Sequence, residues 1–220
     1  MGAPSPQGRA PLEAVLFDLD GTLIDSIELI RQSYAHTLRA HRDFEPPMDF
    51  WLQGLGRPLR WQFAHFTEDA SEIEAMVATY RAYNLAHHDA MVTAFPGAVA
   101  AVEQLRARGV KLAIVTSKMR AGARRGLDHC GFGALFDVIV GADDVSDHKP
   151  HPAPVRLALE QLGVAAERAV MVGDSPHDLA SGRAAGTRTA AVAWGPFPRD
   201  QLLATEPDYW LETPQNIASL

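Results

Sequence analysis

A chain of 220 residues, 47% hydrophobic and 21% charged, is long enough for one large domain, or a domain with an insert, around a buried core. Its net charge of −7 argues against a nucleic-acid surface, which needs clustered Lys and Arg. Cys130 is the only cysteine, so no internal disulfide forms and a reducing, cytoplasmic setting is expected. No uninterrupted apolar run approaches the roughly 20 residues that span a bilayer.

Residues 1–11 are rich in Pro and Gly without an apolar block, and read as a disordered tail, neither signal peptide nor anchor. A buried strand is expected at 14–17, a short β-prone run that leads into Asp18-Leu19-Asp20-Gly21-Thr22. Side chains at i and i+2 of an extended chain share a side. Both carboxylates therefore point into one site at the carboxyl end of a strand, where open α/β sheets bind ligands. Two acids so close repel unless a metal or a shared proton relieves them. Gly21 permits the sharp turn that follows.

Residues 24–94 carry helical periodicity but no convincing strand: Leu29, Ser33, His36 and Thr37, then Ile73, Met76, Val77 and Tyr80. Trp51, Phe63, Phe66, Tyr80 and Tyr83 give this stretch an aromatic core of its own. At roughly 70 residues it is too long for a connection, so a separate helical cap is predicted, with hinges near 23–26 and 94–97. The core domain is then 12–23 and 95–220. Four more strands are expected at 111–116, 136–140, 169–172 and 189–193. Between them run apolar stripes closed by Gly109, Gly163 and Gly186. This alternation predicts an α/β, Rossmann-like parallel sheet with helices on both faces.

Three further segments carry chemistry. Thr116-Ser117-Lys118, after the second strand, offers a hydroxyl and turn N–H groups to an anion, although Thr-Ser there is as often an N-cap. Lys149 is stiffened by Pro150 and Pro152; read alone it is a surface lysine more often than not. Asp174 and Asp178 bracket a helix start after Gly173, and oxygen ligands in this number suit Mg²⁺. His87 and His88, or His148, His151 and His177, lack the Cys partner or His-Glu-x-x-His spacing of zinc sites. Arg120, Arg124 and Arg125 read as one solvated helix face, and Cys130 as a small core residue.

In order and context these pieces resemble the four motifs of the haloacid dehalogenase-like phosphohydrolases, over nearly the whole chain after the tail. The resemblance implies Asp18 as nucleophile, Asp20 as general acid/base, and Thr116 and Lys149 as phosphate holders, with Gly21, Thr22, Ser117 and Lys118 around them. It implies Mg²⁺ on Asp18, Asp20 and Asp174, with Asp178 at the metal or just behind it. It also places a helical cap where the insert lies. Phosphoryl transfer asks for the same parts: a nucleophile, a metal, cations for developing charge and an acid for the leaving group.

Dehalogenases of that superfamily lack the second Asp, so Asp20 argues against C–halogen chemistry. Hexose-phosphate mutases usually carry Val where this chain has Thr22. Gln53-Gly54-Leu55-Gly56-Arg57-Pro58-Leu59, Tyr80 to Asn84 and His88-Asp89 are similar to the pyrophosphatase and phosphoglycolate phosphatase branch. That branch implies a small phosphorylated metabolite as substrate, phosphoglycolate-type or inorganic pyrophosphate. Arg57 would then be a cap cation for a carboxylate or second phosphate. A sugar-phosphate phosphatase or phosphomutase is the alternative. A receiver-like signalling domain would lack so long an insert, and a dead binding module would have lost a motif. No nucleic-acid or membrane partner is expected, and monomer and homodimer both remain open.

Overall fold

The computed structural model describes residues 11–42, 44, 51–52 and 54–220. The predicted tail, up to residue 10, and Gln53 of the cap loop lie outside the described residues. The strands are β1 (Ala14–Phe17), β2 (Ile24–Asp25), β3 (Thr93–Ala94), β4 (Lys111–Val115), β5 (Val138–Val140), β6 (Ala169–Gly173), β7 (Arg188–Val192) and β8 (Tyr209–Leu211). Six of them form one sheet in the order β5-β4-β1-β6-β7-β8, and every neighbouring pair runs parallel.

β1 sits in mid-sheet, and all four of its residues are fully buried. Val15 and Phe17 pack on one face with α4 (Ala98–Ala107) and α5 (Arg120–His129). Ala14 and Leu16 pack on the other with α6 (Ala153–Leu162). A strand covered on both faces must be apolar throughout, which is why this run carries no polar alternation. The five predicted strands are all present, with ends shifted by one or two residues. Phe136 precedes β5 instead of opening it: it is a core residue whose ring meets Phe17 edge-on at 6.1 Å. β8 was not predicted. Its three residues form an edge strand that pairs with β7 alone, too short to show a period.

Between β1 and α4 lie α1 (Ile27–Arg42), α2 (Leu59–Phe63) and α3 (Ala70–Met91). They bury an apolar cluster of their own around Tyr34, Leu38, Trp51, Phe63, Met76 and Val77, with Tyr34 stacked on Phe63 at 5.5 Å. The buried face of α1 is centred on Ser33, Tyr34 and Thr37. That leaves His36 just past its edge, exposed and stacked on Tyr83. Tyr83 stays outside the apolar cluster, its hydroxyl donating to Gln32 Oε1 at 3.2 Å. Residues 24–94 were expected to hold no strand, with hinges at the two chain crossings. Instead β2 and β3 pair as an antiparallel ribbon, Ile24 with Ala94 and Asp25 with Thr93. No helix among the described residues is long and apolar enough to cross a membrane.

Candidate active site

The carboxyl ends of three neighbouring strands bring the predicted motifs together. Asp18 still donates its N–H to Val172 O of β6 at 2.9 Å, and Thr116 donates its N–H to Val140 O of β5 at 3.0 Å. Asp174 follows β6 directly. Its carboxylate occupies a slot that glycines keep open. Gly21 takes the left-handed backbone (φ +85°), and a Cβ there would stand 2.8 Å from Asp174 Oδ2. A Cβ on Gly195 would overlap the Asp174 side chain. Thr22 Oγ1 then fixes the carboxylate by donating to Asp174 Oδ1 at 2.8 Å.

Lys149, 2% exposed, is aimed into this site and not into solvent. Its ammonium donates to Asp18 Oδ1 at 2.7 Å, Asp178 Oδ1 at 2.5 Å and Val115 O at 3.1 Å, using all three protons. Asp178 stands in the first turn of α7 (Pro176–Ala185), where Ser175 donates its N–H at 3.1 Å and its hydroxyl at 2.6 Å to Asp178 Oδ2. Both oxygens of Asp178 are thereby committed to holding Lys149 and the helix start.

Asp18, Asp174 and Asp178 offer carboxylate oxygens that lie within 4.8 Å of one another, all buried. Burial pushes the Asp18 carboxyl up to about 7, with Lys149 opposing and Asp178 adding to the rise. Asp174 is raised well above the usual carboxylate range by burial, then by Asp178 and Asp18. Burial works against the charge on Lys149, but Asp178 and Asp18 outweigh it and hold the ammonium protonated. Three acids around one cation leave excess negative charge. The second oxygens of Asp18 and Asp174 carry no hydrogen bond among the described residues. Hard, buried oxygens with surplus negative charge fit a divalent cation.

Asp20 stands outside that triad. Its Oδ1 accepts from Ser26 Oγ at 2.6 Å and from Lys118 Nζ at 2.8 Å. Burial alone would raise its pKa, but Lys118 and Ser26 outweigh it and keep the carboxyl below its usual value. The remaining predicted residues take supporting places. Thr116 Oγ1 accepts the Lys118 N–H at 3.1 Å, and Ser117 Oγ donates to Gly56 O of the cap loop at 2.6 Å. Cys130, half-buried at the end of α5, has its thiol pushed up to about 11 by burial, as befits a packing residue.

A cavity of about 450 Å³ opens over these groups, walled by the strand ends on one side and by α2, α3 and the loop before α2 on the other. Arg57 lines it. The guanidinium carbon lies 4.8 Å above the Trp61 ring, and Nε is buried without a hydrogen-bond partner among the described residues. The sequence reading gave no role to Ser26 or Ser175, and singled out His88 and Asp89 only as a likeness to the pyrophosphatase branch. Ser175-x-x-Asp178 is a capping box, so that signal was present. The place of Asp89 was not legible: it holds Arg125 through a double hydrogen bond, 3.0 and 2.9 Å, between residues 36 apart. Arg125, read as part of a solvated face, thus ties α5 to α3. His88, buried beneath, places Nδ1 2.7 Å from Asp89 Oδ1.

Residues 15–192 match the model of the haloacid dehalogenase-like hydrolases. The pyrophosphatase PpaX of Bacillus velezensis is 44% identical over 199 residues, covering 90% of this chain and 91% of the relative. PpaX of Halalkalibacterium halodurans is 40% identical, covering 95% and 96%. Among solved structures, CbbY from Rhodobacter sphaeroides, in complex with phosphate, superposes with a TM-score of 0.83 at 26% identity, covering 94% of this chain and 96% of its own. A haloacid dehalogenase-like family hydrolase from Streptococcus pneumoniae gives 0.82 at 28% identity, covering 94% and 97%. With the motif residues converging on one buried site, and relatives over nearly its whole length, this chain belongs to the haloacid dehalogenase-like hydrolase family and is a phosphatase.

Proposed function

We propose that this enzyme is a Mg²⁺-dependent phosphohydrolase that works through an aspartyl phosphate on Asp18. Its substrate is inorganic pyrophosphate or a small phosphoglycolate-type ester. The observation that carries this reading is Lys149, buried between Asp18 and Asp178, with Asp174 alongside, beneath a cavity that the three acids line. The 44% and 40% identical relatives named pyrophosphatase favour the phosphoanhydride.

Asp18 and Asp174 would hold the metal, with Asp178 behind them because its oxygens are already committed. When bound, Mg²⁺ supplies positive charge to the phosphoryl oxygens and keeps Asp18 ionised. An Asp18 oxygen attacks phosphorus, the bond to the leaving oxygen breaks, and Asp20 protonates that oxygen. Lys149 and Thr116 hold the transferred group. Water then attacks the aspartyl phosphate while Asp20 takes its proton, releasing phosphate and restoring the Asp18 carboxylate. Asp20 must first take up a proton, which requires the arriving phosphate to draw Lys118 away. A phosphate leaving group needs less protonation than an alkoxide, so pyrophosphate makes the smaller demand on Asp20. Residues 24–94 act as a lid that selects substrate and shields the intermediate, in a cytoplasmic enzyme.

Hydrolysis of pyrophosphate and phosphoglycolate by the purified enzyme tests this reading. Chelation is expected to abolish turnover and Mg²⁺ to restore it, and Asp18→Asn to lower kcat by at least about 10³-fold. Activity above a few per cent in that variant, or better restoration by Zn²⁺ than by Mg²⁺, would overturn it.

A further inference from the structure

His88 is the one histidine of the His87-His88 pair that the fold buries, 2% exposed in the last turns of α3, and the chemistry above leaves it no part. Its Nδ1 lies 2.7 Å from Asp89 Oδ1, and Arg125 holds that carboxylate ionised from the other side. A carboxylate only accepts, so Nδ1 carries the proton. Burial lowers the basicity of the ring; Asp89 opposes the drop and Lys118 adds to it, which leaves the imidazole neutral. Nε2 is then a bare lone pair, buried without a hydrogen-bond partner among the described residues. An unfilled buried acceptor is destabilising, and a donor that arrives in the working state accounts for it.

The donor within reach is Lys118. Two glycines one turn apart, Gly122 and Gly126, strip the same face of α5. Lys118 runs over the first: a Cβ on Gly122 would stand 3.4 Å from Lys118 Cγ and 3.5 Å from Cε. His88 ends at the second: a Cβ on Gly126 would stand 3.6 Å from His88 Nε2. The lysine and the lone pair are therefore neighbours on one glycine face, along the wall of the cavity that both residues line. Lys118 spends one of its three protons on Asp20 Oδ1. That bond must break before Asp20 can take up a proton.

Resting on the phosphohydrolase reading above, with Asp20 as its acid, we propose that His88 is a positioning residue of the reaction: its Nε2 receives the Lys118 ammonium when the arriving phosphate draws it off Asp20. One N–H of Lys118 turns from Asp20 Oδ1 to His88 Nε2 while another meets the phosphate. Asp20, released, takes a proton from solvent, gives it to the leaving oxygen and recovers one from the attacking water. That last proton returns to solvent when Lys118 comes back. No covalent step changes. Asp89 and Arg125 act behind His88, fixing which ring nitrogen is bare.

His88→Asn and His88→Gln test this as a pair, because Asn keeps a donor near the place of Nδ1 whereas Gln brings an acceptor to the place of Nε2. On phenyl phosphate, whose leaving group needs the Asp20 proton, the Asn variant is expected to lose about 10–100-fold in kcat/KM, the worth of one hydrogen bond to a charged group. The Gln variant should stay within about threefold of the parent. On 2,4-dinitrophenyl phosphate, whose leaving group needs no proton, all three proteins should run alike, which also shows that the variants fold. Lys118→Met should erase the difference between Asn and Gln. A measurement on the unaltered histidine stands beside these. In the inert Asp18→Asn protein, pyrophosphate with Mg²⁺ should shift the His88 Nε2 nitrogen resonance from that of a bare lone pair toward that of a hydrogen-bond acceptor. Three results overturn the role of His88: equal losses on both aryl phosphates, an Asn–Gln difference that survives Lys118→Met, or an unmoved resonance at saturating pyrophosphate. Turnover of pyrophosphate by the parent leaves the Asp18 chemistry standing in each case. A parent enzyme that hydrolyses none of these substrates overturns the phosphohydrolase reading instead.

Discussion

The two ends of the cavity are built differently. At the core end, Asp18, Lys149, Asp174 and Asp178 are almost wholly buried, and each is held by its neighbours, by strand ends or by a helix start. At the cap end, apolar side chains and partly exposed arginines line the wall, anchored by the packing of α1 against α3. The core end stores unfavourable electrostatics, since three carboxylates share one ammonium. The cap end stores almost none. A site that must stabilise charge at one phosphorus needs fixed, preorganised groups there, whereas selection among leaving groups needs only a shaped wall.

Removing the one cation from the core end is expected to have the largest effect. Lys149→Met should lower kcat by at least about 10³-fold and destabilise the metal-free protein by about 3–5 kcal/mol, since it leaves buried carboxylates unpaired. Steady-state kinetics and chemical denaturation check the two effects separately. A loss of activity with unchanged stability would mean that the carboxylates are already relieved by protons.

Removing an anion from the same cluster should do the reverse to stability. Asp18 titrates near 7 in the folded protein against an ordinary value of 3.8. The unfolded chain therefore loses this proton first, and the native state loses stability as pH climbs from about 4 to 7. Without metal, Asp18→Asn is expected to be more stable than the parent at pH 7, by on the order of 2–4 kcal/mol, with the gain fading toward pH 4. Thermal unfolding at both pH values, with chelator present, reads the difference. Mg²⁺ should stabilise the parent more than this variant. A gain independent of pH would sever the link to the Asp18 charge.

The smallest expected effect lies at the cap end. If Arg57 meets only the distal phosphate, Arg57→Ala should raise KM about tenfold for pyrophosphate while leaving turnover of a neutral aryl phosphate nearly unchanged. Equal losses on both substrates would place Arg57 in the phosphoryl site or in the packing of the cap, where it already lies over Trp61.

Much of the core was legible because its signals are local. An apolar run with no alternation means a strand covered on both faces, and Asp18 and Asp20 follow such a run directly. Helix ends at Gly163 and Gly186 fall where left-handed glycines cap α6 and α7. β8 and the β2–β3 ribbon are two or three residues long and owe their existence to partners far along the chain. His36 and Tyr83 kept the right helical spacing but fell just outside the buried faces.

The sequence by itself determined the α/β alternation, the helical insert and the four segments that supply the acids and the lysine, because backbone period and turn chemistry act over a few residues. Only the tertiary structure decided how those groups are spent. Lys118 is turned onto Asp20, 98 residues away, instead of standing ready for substrate. Both oxygens of Asp178 are taken by Lys149 and Ser175, and Arg125 crosses to Asp89. These partnerships join residues distant along the chain or choose between two open roles for one side chain. Burial and proximity, which no local pattern records, make that choice.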